Sequence, residues 1–434
     1  MKVKSHFLFV AVLFVLFARQ ASAENRFIVR VGGGLPGMQR ICTLLPCTVI
    51  RGLDGTLGQL FLVSGPDFVN PDIFLTLLQI QIGVSGVELD VPLSIGPIPV
   101  SYAIPSGLSD SRPFSYFGTT VWNGYANQPA SQVIGLNKAR TNFNVVGSGT
   151  VGVIDTGIDP SHPALQGVVV IGYDFTRDTR GIPSESSDLT QPVSPTVTGV
   201  PPARVNESTA AVLDQNSALL LSQYGAFGHG TMVSGVIHLV APNALIMPLK
   251  AFRADGTGAL SDIIRAIYYG TQNGAKVLNM SFSTPNYSKE LRRGLDDAAA
   301  NGVISVGSAG NDGEQILVYP AALDNVMGVA STDYLDQRSS FSNYGSSLVW
   351  VAAPGEAIIS TYPFGTYAAS WGTSFSAPFV SGVAALLLDI RSDCSQKQAA
   401  GAISNAKKLG PELGYGRLDV YRAVRAIINS PGVP

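Results

Sequence analysis

Charged side chains are scarce in this chain. Lys, Arg, Asp and Glu make up 13% of its 434 residues, against about 25% in an average soluble protein. The formal net charge is only −2, so the sequence has no basic excess with which to bind nucleic acid. Hydrophobic residues make up 46%, and a chain of this length can bury a large core.

Cysteine and histidine are also rare, and this narrows the possible chemistry. Three cysteines do not define a disulfide framework. Cys42 and Cys47 are close enough in sequence to pair, which would leave Cys394 alone. Neither His162 nor His238 has a cysteine or a second histidine nearby, so we predict structural roles for both, no metal site and no cofactor.

The first 23 residues have the pattern of a signal peptide. MKVKSH is a positively charged start, FLFVAVLFVLFA is an apolar core, and Ala21, Ser22 and Ala23 form an A-x-A cleavage site. The apolar core is shorter than the roughly 20 residues that span a bilayer. We therefore expect an exported protein, extracellular or periplasmic, without membrane contact after the signal peptide is removed.

Apolar strands and helices alternate after about residue 150. The segments are VGVID, MVSGVIHLV, ALIMPLK, SDIIRAIYYG, KVLNMS, KELRRGLDDAAA and GVISVG. This alternation predicts an α/β fold, a mainly parallel sheet with helices on both faces.

Four polar residues end predicted strands or begin predicted helices. They are Asp155 in VGVIDTGID, His229 in FGHGTMVSG, Asn311 after GVISVGSAG and Ser374 in GTSFSAPFVSG. Since parallel strands end at one edge of a sheet, we expect these residues to meet there. A helix start also presents N–H groups that favour negative charge on a nearby oxygen, as a nucleophilic serine requires.

Asp, His, Asn and Ser in this order resemble the subtilisin-like serine proteases, or subtilases (peptidase family S8). The resemblance runs from about residue 130 to about residue 425, through RSSFSNYG, VAAPGEAIIST and GYGRLDVYRAV. It implies a secreted serine endopeptidase that cleaves polypeptides through an acyl-enzyme. His229 would be the general base, Asp155 would orient it, and Asn311 with the amide of Ser374 would bind the oxyanion.

The resemblance also points to residues that would hold an extended substrate strand. They are Gly256, Thr257 and Gly258 on one side and Ser281, Phe282 and Ser283 on the other, with Val318 at the base of the pocket before the scissile bond. A plain turn and an ordinary strand end are the alternatives for the two segments. A branched Val318 side chain predicts a shallow pocket for small or medium apolar residues.

Two departures from the family are visible. The helix after His229 lacks the inserted calcium loop, and Ala164 stands where an aspartate helps to bind the ion, so we predict no metal there. A segment at about 176–225 is inserted between the Asp and His motifs. Its first part, rich in Pro, Ser and Thr, predicts a surface loop, and its second part predicts a helix. A wall or lid beside the cleft and a simple surface decoration remain alternatives.

Residues 24–105 precede the predicted catalytic domain at 106–434. Their strands and helices suggest a small α+β, ferredoxin-like βαββαβ unit, which resembles the subtilase pro-region, an intramolecular inhibitor that is later removed. A permanent N-terminal interaction domain is the alternative. The Pro, Ser and Gly-rich stretch at 104–113 is the predicted cleavage region.

Two other functions are weighed against an active, monomeric protease. A subtilase-like protein without activity would bind peptides or proteins but not cleave them. A lipase or esterase is disfavoured, because no G-x-S-x-G elbow surrounds Ser374 and the chain order differs.

Overall fold

The computed structural model describes residues 25–95, 103–190, 203–205, 209–213 and 215–430, with only the backbone of 94–95, 203–205 and 209. The predicted signal peptide therefore lies outside the described residues, as does part of the predicted insertion.

An N-terminal α+β unit is built from six elements. They are β1 Arg26–Val31, α1 Gly34–Leu44, β2 Thr48–Gly52, β3 Leu60–Ser64, α2 Pro71–Gln79 and β4 Val84–Leu89. The sheet order is β2-β3-β1-β4 with antiparallel pairs throughout. This is the predicted ferredoxin-like βαββαβ arrangement. Cys42 and Cys47 form a disulfide, with their Cα atoms 4.8 Å apart.

The two faces of this small sheet bury different surfaces. Phe27 and Phe61 point to one face, where they pack against α1 and α2. Ile28 and Leu62, one residue along each strand, point to the other face and join a core of the larger domain. Because successive strand side chains alternate between faces, an apolar strand without polar alternation fits a sheet that is covered on both sides.

The rest of the chain supplies sixteen strands and eleven helices within its described part. The strands are β5 Pro92–Ile95, β6 Pro113–Tyr116, β7 Thr119–Trp122, β8 Thr150–Asp155, β9 Gly172–Asp174, β10 Thr179–Gly181, β11 Ala203–Val205, β12 Thr209–Val212, β13 Leu245–Lys250, β14 Thr257–Ala259, β15 Ala275–Met280, β16 Ile304–Ser308, β17 Met327–Thr332, β18 Val351–Pro354, β19 Ile358–Tyr362 and β20 Thr366–Trp371. The helices are α3 Asn123–Ala126, α4 Pro129–Val133, α5 Leu136–Phe143, α6 Ser187–Thr190, α7 Gln215–Gln223, α8 His229–Val240, α9 Leu260–Gln272, α10 Lys289–Ala300, α11 Thr373–Ile390, α12 Gln396–Ile403 and α13 Val420–Ile428.

The central sheet has eight strands in the order β10-β9-β13-β8-β15-β16-β17-β18. All neighbours are parallel except β10 and β9. Helices α8 and α11 pack together over one face, and α9 and α10 cover the other. The predicted α/β fold with helices on both faces is confirmed.

Helix α11 is long and apolar enough to cross a membrane, but 89% of that stretch is buried inside the protein. It contacts β15, β16, β17 and β18 along its length. Its hydrophobicity is therefore that of a core helix with neighbours on all sides.

The described part of the predicted insertion contains buried residues and regular structure that its composition does not indicate. The surface-loop prediction is wrong for residues 184–188, because Glu185 and Asp188 are buried. Polar composition favours loops, but these two carboxylates find partners inside the protein. Further along, β11 pairs with β5, β12 pairs with β20, and α7 lies within the predicted helical part. Strand β20 leads directly to Ser374, so β12 pairs with the strand that precedes the candidate nucleophile, and a wall or lid beside the cleft stays a prediction.

Metal removal tests the prediction about the calcium loop. Helix α8 is continuous from His229 to Val240, and the Ala164 side chain is fully buried. We expect the melting temperature to stay within about 1 °C after treatment with a chelator, because the loop that supplies ligands in the family has no counterpart in this helix. Thermal unfolding followed by circular dichroism measures this. A fall of several degrees that added calcium reverses would contradict it.

Candidate active site

A carboxylate and an imidazole meet at the carboxyl edge of the central sheet. Asp155 is the last residue of β8, and His229 is the first residue of α8. The Asp155 Oδ1 atom lies 2.8 Å from His229 Nδ1, and both side chains are almost fully buried. Gly228, just before the helix, has φ of 87°, a conformation that glycine adopts without strain. This turn lets the helix start with its histidine at the sheet edge.

The environment raises the pKa of His229. Burial alone would lower it, but the charge of Asp155 and the hydrogen bond to its carboxylate outweigh burial, and the charge of Glu185 adds to the effect. The contact with Asp155 also places the Nδ1 proton, so that Nε2 is the nitrogen able to accept a proton.

Ser374 is the second residue of α11 and is fully buried. Its hydroxyl donates a hydrogen bond to the backbone oxygen of Ser281 at 2.9 Å, and the Ser281 hydroxyl donates to the backbone oxygen of Ser374 at 2.8 Å. Among the described residues, His229 Nε2 has no hydrogen-bond partner. The serine and the histidine are therefore not hydrogen-bonded in this structure. Such contacts are often loose without substrate.

Asn311 and the start of α11 are held together by hydrogen bonds. The Asn311 side-chain oxygen accepts from the Thr373 backbone N–H at 2.8 Å and from the Thr373 hydroxyl at 2.9 Å. These bonds fix the orientation of the amide group beside the residue that precedes Ser374. The adjacent ring of Phe375 lies 5.4 Å from the His229 ring, measured between centroids. The four sequence-predicted residues are thus linked through the first turn of α11 and the start of α8.

The first predicted substrate segment is already paired with a strand. Gly256, with φ of 88°, closes a turn through its N–H bond to the Arg253 oxygen, and its part in substrate binding stays a prediction. Thr257 and Gly258 lie in β14, which pairs antiparallel with β5. A Cβ atom on Gly258 would lie 2.7 Å from the Ala251 oxygen, so glycine is required for this close approach.

The second predicted segment contributes backbone rather than side chains. The Phe282 ring is buried in the core and packs 5.2 Å from the Phe252 ring. Ser281 contacts Ser374 as described, and Ser283 is also buried. In the part of the chain that the structure describes, the other edge of β5 pairs with β11 and not with residues 281–283. Val318 is buried and packs in a cluster with other apolar residues, so its role in a substrate pocket stays a prediction.

Five residues around the Asp155–His229 pair were not found by reasoning from the sequence. Glu185 accepts hydrogen bonds from the hydroxyl groups of Thr156 and Thr231. Lys250 donates to the Thr156 backbone oxygen at 2.6 Å and to Asp188 at 2.7 Å. The motifs D-T-G and H-G-T contain Thr156 and Thr231, so the sequence did offer a signal for these two residues. Glu185, in a stretch rich in serine and proline, had none.

Glu185 is an unusual carboxylate because it is completely buried. Burial raises its pKa, the hydrogen bonds from Thr156 and Thr231 and the charge of Lys250 lower it, and the charge of Asp155 raises it further, so that the pKa lies at about 7. The group therefore changes charge in the range in which a histidine also titrates.

The other two described histidines, His162 and His238, are buried, and their structural roles stay a prediction. His162 Nε2 lies 2.9 Å from the Thr366 backbone oxygen, and its Nδ1 accepts from the Ala164 N–H at 3.2 Å. His238 is buried beside Tyr116, and neither ring nitrogen has a hydrogen-bond partner among the described residues. Burial and the charges of Arg140 and His162 lower the pKa of His238 to about 4, so its ring is neutral at physiological pH.

Comparison with known proteins agrees with this geometry. Residues 147–419, more than half of the chain, match the model of the subtilase family, Peptidase_S8. The chain belongs to the subtilase family. This subtilase is 34% identical over 281 residues to the thermophilic serine proteinase of Bacillus sp. (strain AK1), covering 63% of this chain and 61% of that protein. It is 33% identical over 292 residues to thermitase of Thermoactinomyces vulgaris, covering 64% of this chain and 90% of thermitase.

A solved structure shares the fold of this subtilase. Fervidolysin from Fervidobacterium pennivorans, described as a keratinolytic enzyme related to subtilisin, superimposes with a TM-score of 0.70 at 23% identity. The match covers 96% of this chain and 63% of fervidolysin. This subtilase thus spans less than two thirds of both fervidolysin and the strain AK1 proteinase.

The pKa of His229 can be measured by NMR in a Ser374→Ala background. We expect His229 to stay protonated above the ordinary pH range of a histidine. Replacement of Asp155 by Asn should lower this pKa below the ordinary value, because burial then outweighs the remaining charge of Glu185. His162, whose burial lowers its pKa, is the internal control and should not change. Equal His229 pKa values in the two proteins would contradict this account.

Proposed function

We propose that this subtilase is an active serine endopeptidase, and the contact between Asp155 and His229 beside the start of α11 carries the proposal. The Ser374 hydroxyl oxygen attacks the carbonyl carbon of a peptide bond while its proton passes to His229 Nε2. Asp155 stabilises the resulting imidazolium. The C–N bond then breaks, His229 returns the proton to the leaving amine, and water hydrolyses the acyl-enzyme by the same proton transfers.

The negative charge that forms on the substrate oxygen needs donors. The backbone N–H of Ser374 and the side-chain amide of Asn311 are the proposed pair, and each such donor contributes on the order of 3 kcal/mol to the transition state. The fixed orientation of the Asn311 amide, held by Thr373, supports this role because a pre-oriented donor needs no rearrangement during the reaction.

The substrate is proposed to be an extended polypeptide that adds a strand to β14. Strand β5 of the same chain supports this, because Ser94 and Leu93 align with Thr257 and Gly258 in an antiparallel ladder. The Leu93 side chain is buried, and the cavity beside it is lined mainly by apolar groups that include Leu260 and Tyr287. A substrate with an apolar residue at the position of Leu93 would fit the same surface. We keep the prediction that the pocket at Val318 accepts small or medium apolar substrate residues before the cleaved bond. Efficient cleavage after Tyr or Arg would contradict it.

The N-terminal unit is proposed to be an inhibitory pro-region that is removed, and its contacts support this. Asp90 accepts from the Ser261 N–H at 2.8 Å at the start of α9, and Glu88 accepts from the Lys289 N–H at 3.2 Å at the start of α10. Carboxylates are favourable at helix N-termini. Since β5 follows these contacts and covers β14, the unit blocks the proposed substrate strand. Export through the predicted signal peptide would deliver this inhibited form.

We propose that the pro-region is cleaved upstream of most of the predicted region 104–113. Leu108, within the predicted region 104–113, is fully buried in the main core, and the Asp110 side chain is hydrogen-bonded to Arg112 and Asn123. A segment held in this way is a poor protease site. We propose cleavage between β5 and Ser106, since β5 lies where a substrate strand would.

Labelling with a fluorophosphonate distinguishes an active protease from an inactive binder. The processed wild type should label and cleave peptides. Ser374→Ala should not label and should lose a factor of about 10⁶ in kcat, because no other group supplies the nucleophile. A folded, processed wild type that neither labels nor cleaves would favour the binder. Ser376→Ala is a matched control, since Ser376 is also a buried serine in α11.

The mature N-terminus tests removal of the N-terminal unit. We expect the secreted wild type to begin between residues 96 and 106, and secreted Ser374→Ala to begin near residue 24, because the chain would process itself. N-terminal sequencing of both proteins measures this. A wild type that begins at residue 24 would support a permanent N-terminal domain.

A further inference from the structure

We propose that Glu185 is a positioning residue that sets both the spacing and the charge of the Asp155–His229 pair. This inference rests on the proposed protease function and extends it to a residue outside the three catalytic motifs. It assigns a function to the segment between β10 and α6, which composition alone marks as a loop.

One carboxylate is hydrogen-bonded to both segments that carry the pair. Glu185 Oε1 accepts from the Thr156 hydroxyl and, at 3.1 Å, from the Gly230 N–H. Glu185 Oε2 accepts from the Thr231 hydroxyl. Thr156 directly follows Asp155, and Gly230 directly follows His229. Movement of β8 relative to α8 would therefore break bonds to a single buried group.

The same arrangement reaches Asp155 itself. The Thr156 N–H donates to Asp155 Oδ1 at 2.7 Å, and the Gly230 N–H also donates to the Thr156 hydroxyl oxygen at 3.0 Å. A Glu185 carboxylate thus orients the Thr156 hydroxyl as a donor, leaving its oxygen lone pairs toward Gly230. The network is complete only with an acceptor at position 185, because two hydroxyl groups and one backbone N–H converge there.

The charge of Glu185 acts on the histidine as well. The ionisable groups facing Glu185 are Asp155 at the end of β8, His229 at the start of α8 and Lys250 at the end of β13. Lys250 is itself paired with Asp188 at 2.7 Å, which partly offsets its positive charge. Ionised Glu185 therefore favours the imidazolium that forms when His229 takes the Ser374 proton. A neutral side chain of the same shape would not.

Glu185→Gln separates charge from shape. The amide is nearly isosteric, so we expect a folded protein whose kcat falls about 10- to 100-fold, the range found when outer partners of metal ligands are lost, with KM little changed. His229 must be neutral to accept a proton. Since the charge of Glu185 raises the pKa of His229, the acid limb of the pH profile should move to lower pH in this variant. An NMR titration of His229 in the Ser374→Ala background should show the same downward shift.

Glu185→Asp is the complementary variant. It keeps the charge but is shorter by one methylene, so it should lose kcat with a smaller shift of the acid limb. Asp336→Asn is a matched control, because it removes a carboxylate bonded to Lys407 and Arg417 on the loop between β17 and β18. It should lower the melting temperature and leave kcat and the pH profile unchanged.

The outcomes separate this inference from the proposed function. An inert wild type would overturn the protease itself. An active wild type with a Glu185→Gln variant of equal kcat and unchanged pH profile would overturn only the role of Glu185. A Glu185→Gln protein with a lower melting temperature but the wild-type profile and His229 pKa would likewise reduce Glu185 to a structural residue. If that variant does not fold, a wild-type acid limb and full kcat in Glu185→Asp would contradict the proposal.

Discussion

The 2.8 Å contact between Asp155 and His229 is buried, and the surrounding structure must offset the free-energy cost of that burial. A carboxylate removed from water costs several kcal/mol unless hydrogen bonds and opposite charge replace its hydration. Here the Thr156 N–H and the imidazole both bond to Asp155 Oδ1, whereas Oδ2 is buried without a hydrogen-bond partner among the described residues. Strand β8 lies between β13 and β15, so the sheet holds Asp155 in place from both sides.

The same sheet edge explains why the N-terminal unit docks where it does. Helices α9 and α10 cover one face of the central sheet. Asp90 and Glu88 accept hydrogen bonds from backbone N–H groups at the N-termini of these two helices. That docking directs the following residues along β14. Inhibition and substrate binding would thus use the same edge of β14, which can pair with any extended chain that has suitable side chains. Strand β11, from the insertion, lies on the other edge of β5 and makes this surface more enclosed.

Reasoning from the sequence succeeded where periodicity or a motif carried the signal. The α/β fold and the βαββαβ unit follow from alternating apolar segments, and Asp155, His229, Asn311 and Ser374 were named from motifs. It failed for Glu185, because serine- and proline-rich composition reports local conformation and not the partners that fold around a carboxylate. Gly256 forms a turn just before β14, and its contact with substrate stays a prediction.

The amino-acid sequence by itself determined the order of the elements, the sheet edge and the residue types that meet there, because these depend on spacing along the chain and on burial of apolar faces. Only the tertiary structure decided that the Ser374 hydroxyl bonds to Ser281, that β5 covers β14, and that Glu185 joins the residues after Asp155 and His229. These contacts join residues far apart in the sequence. Their geometry depends on how whole elements pack, which no local pattern encodes.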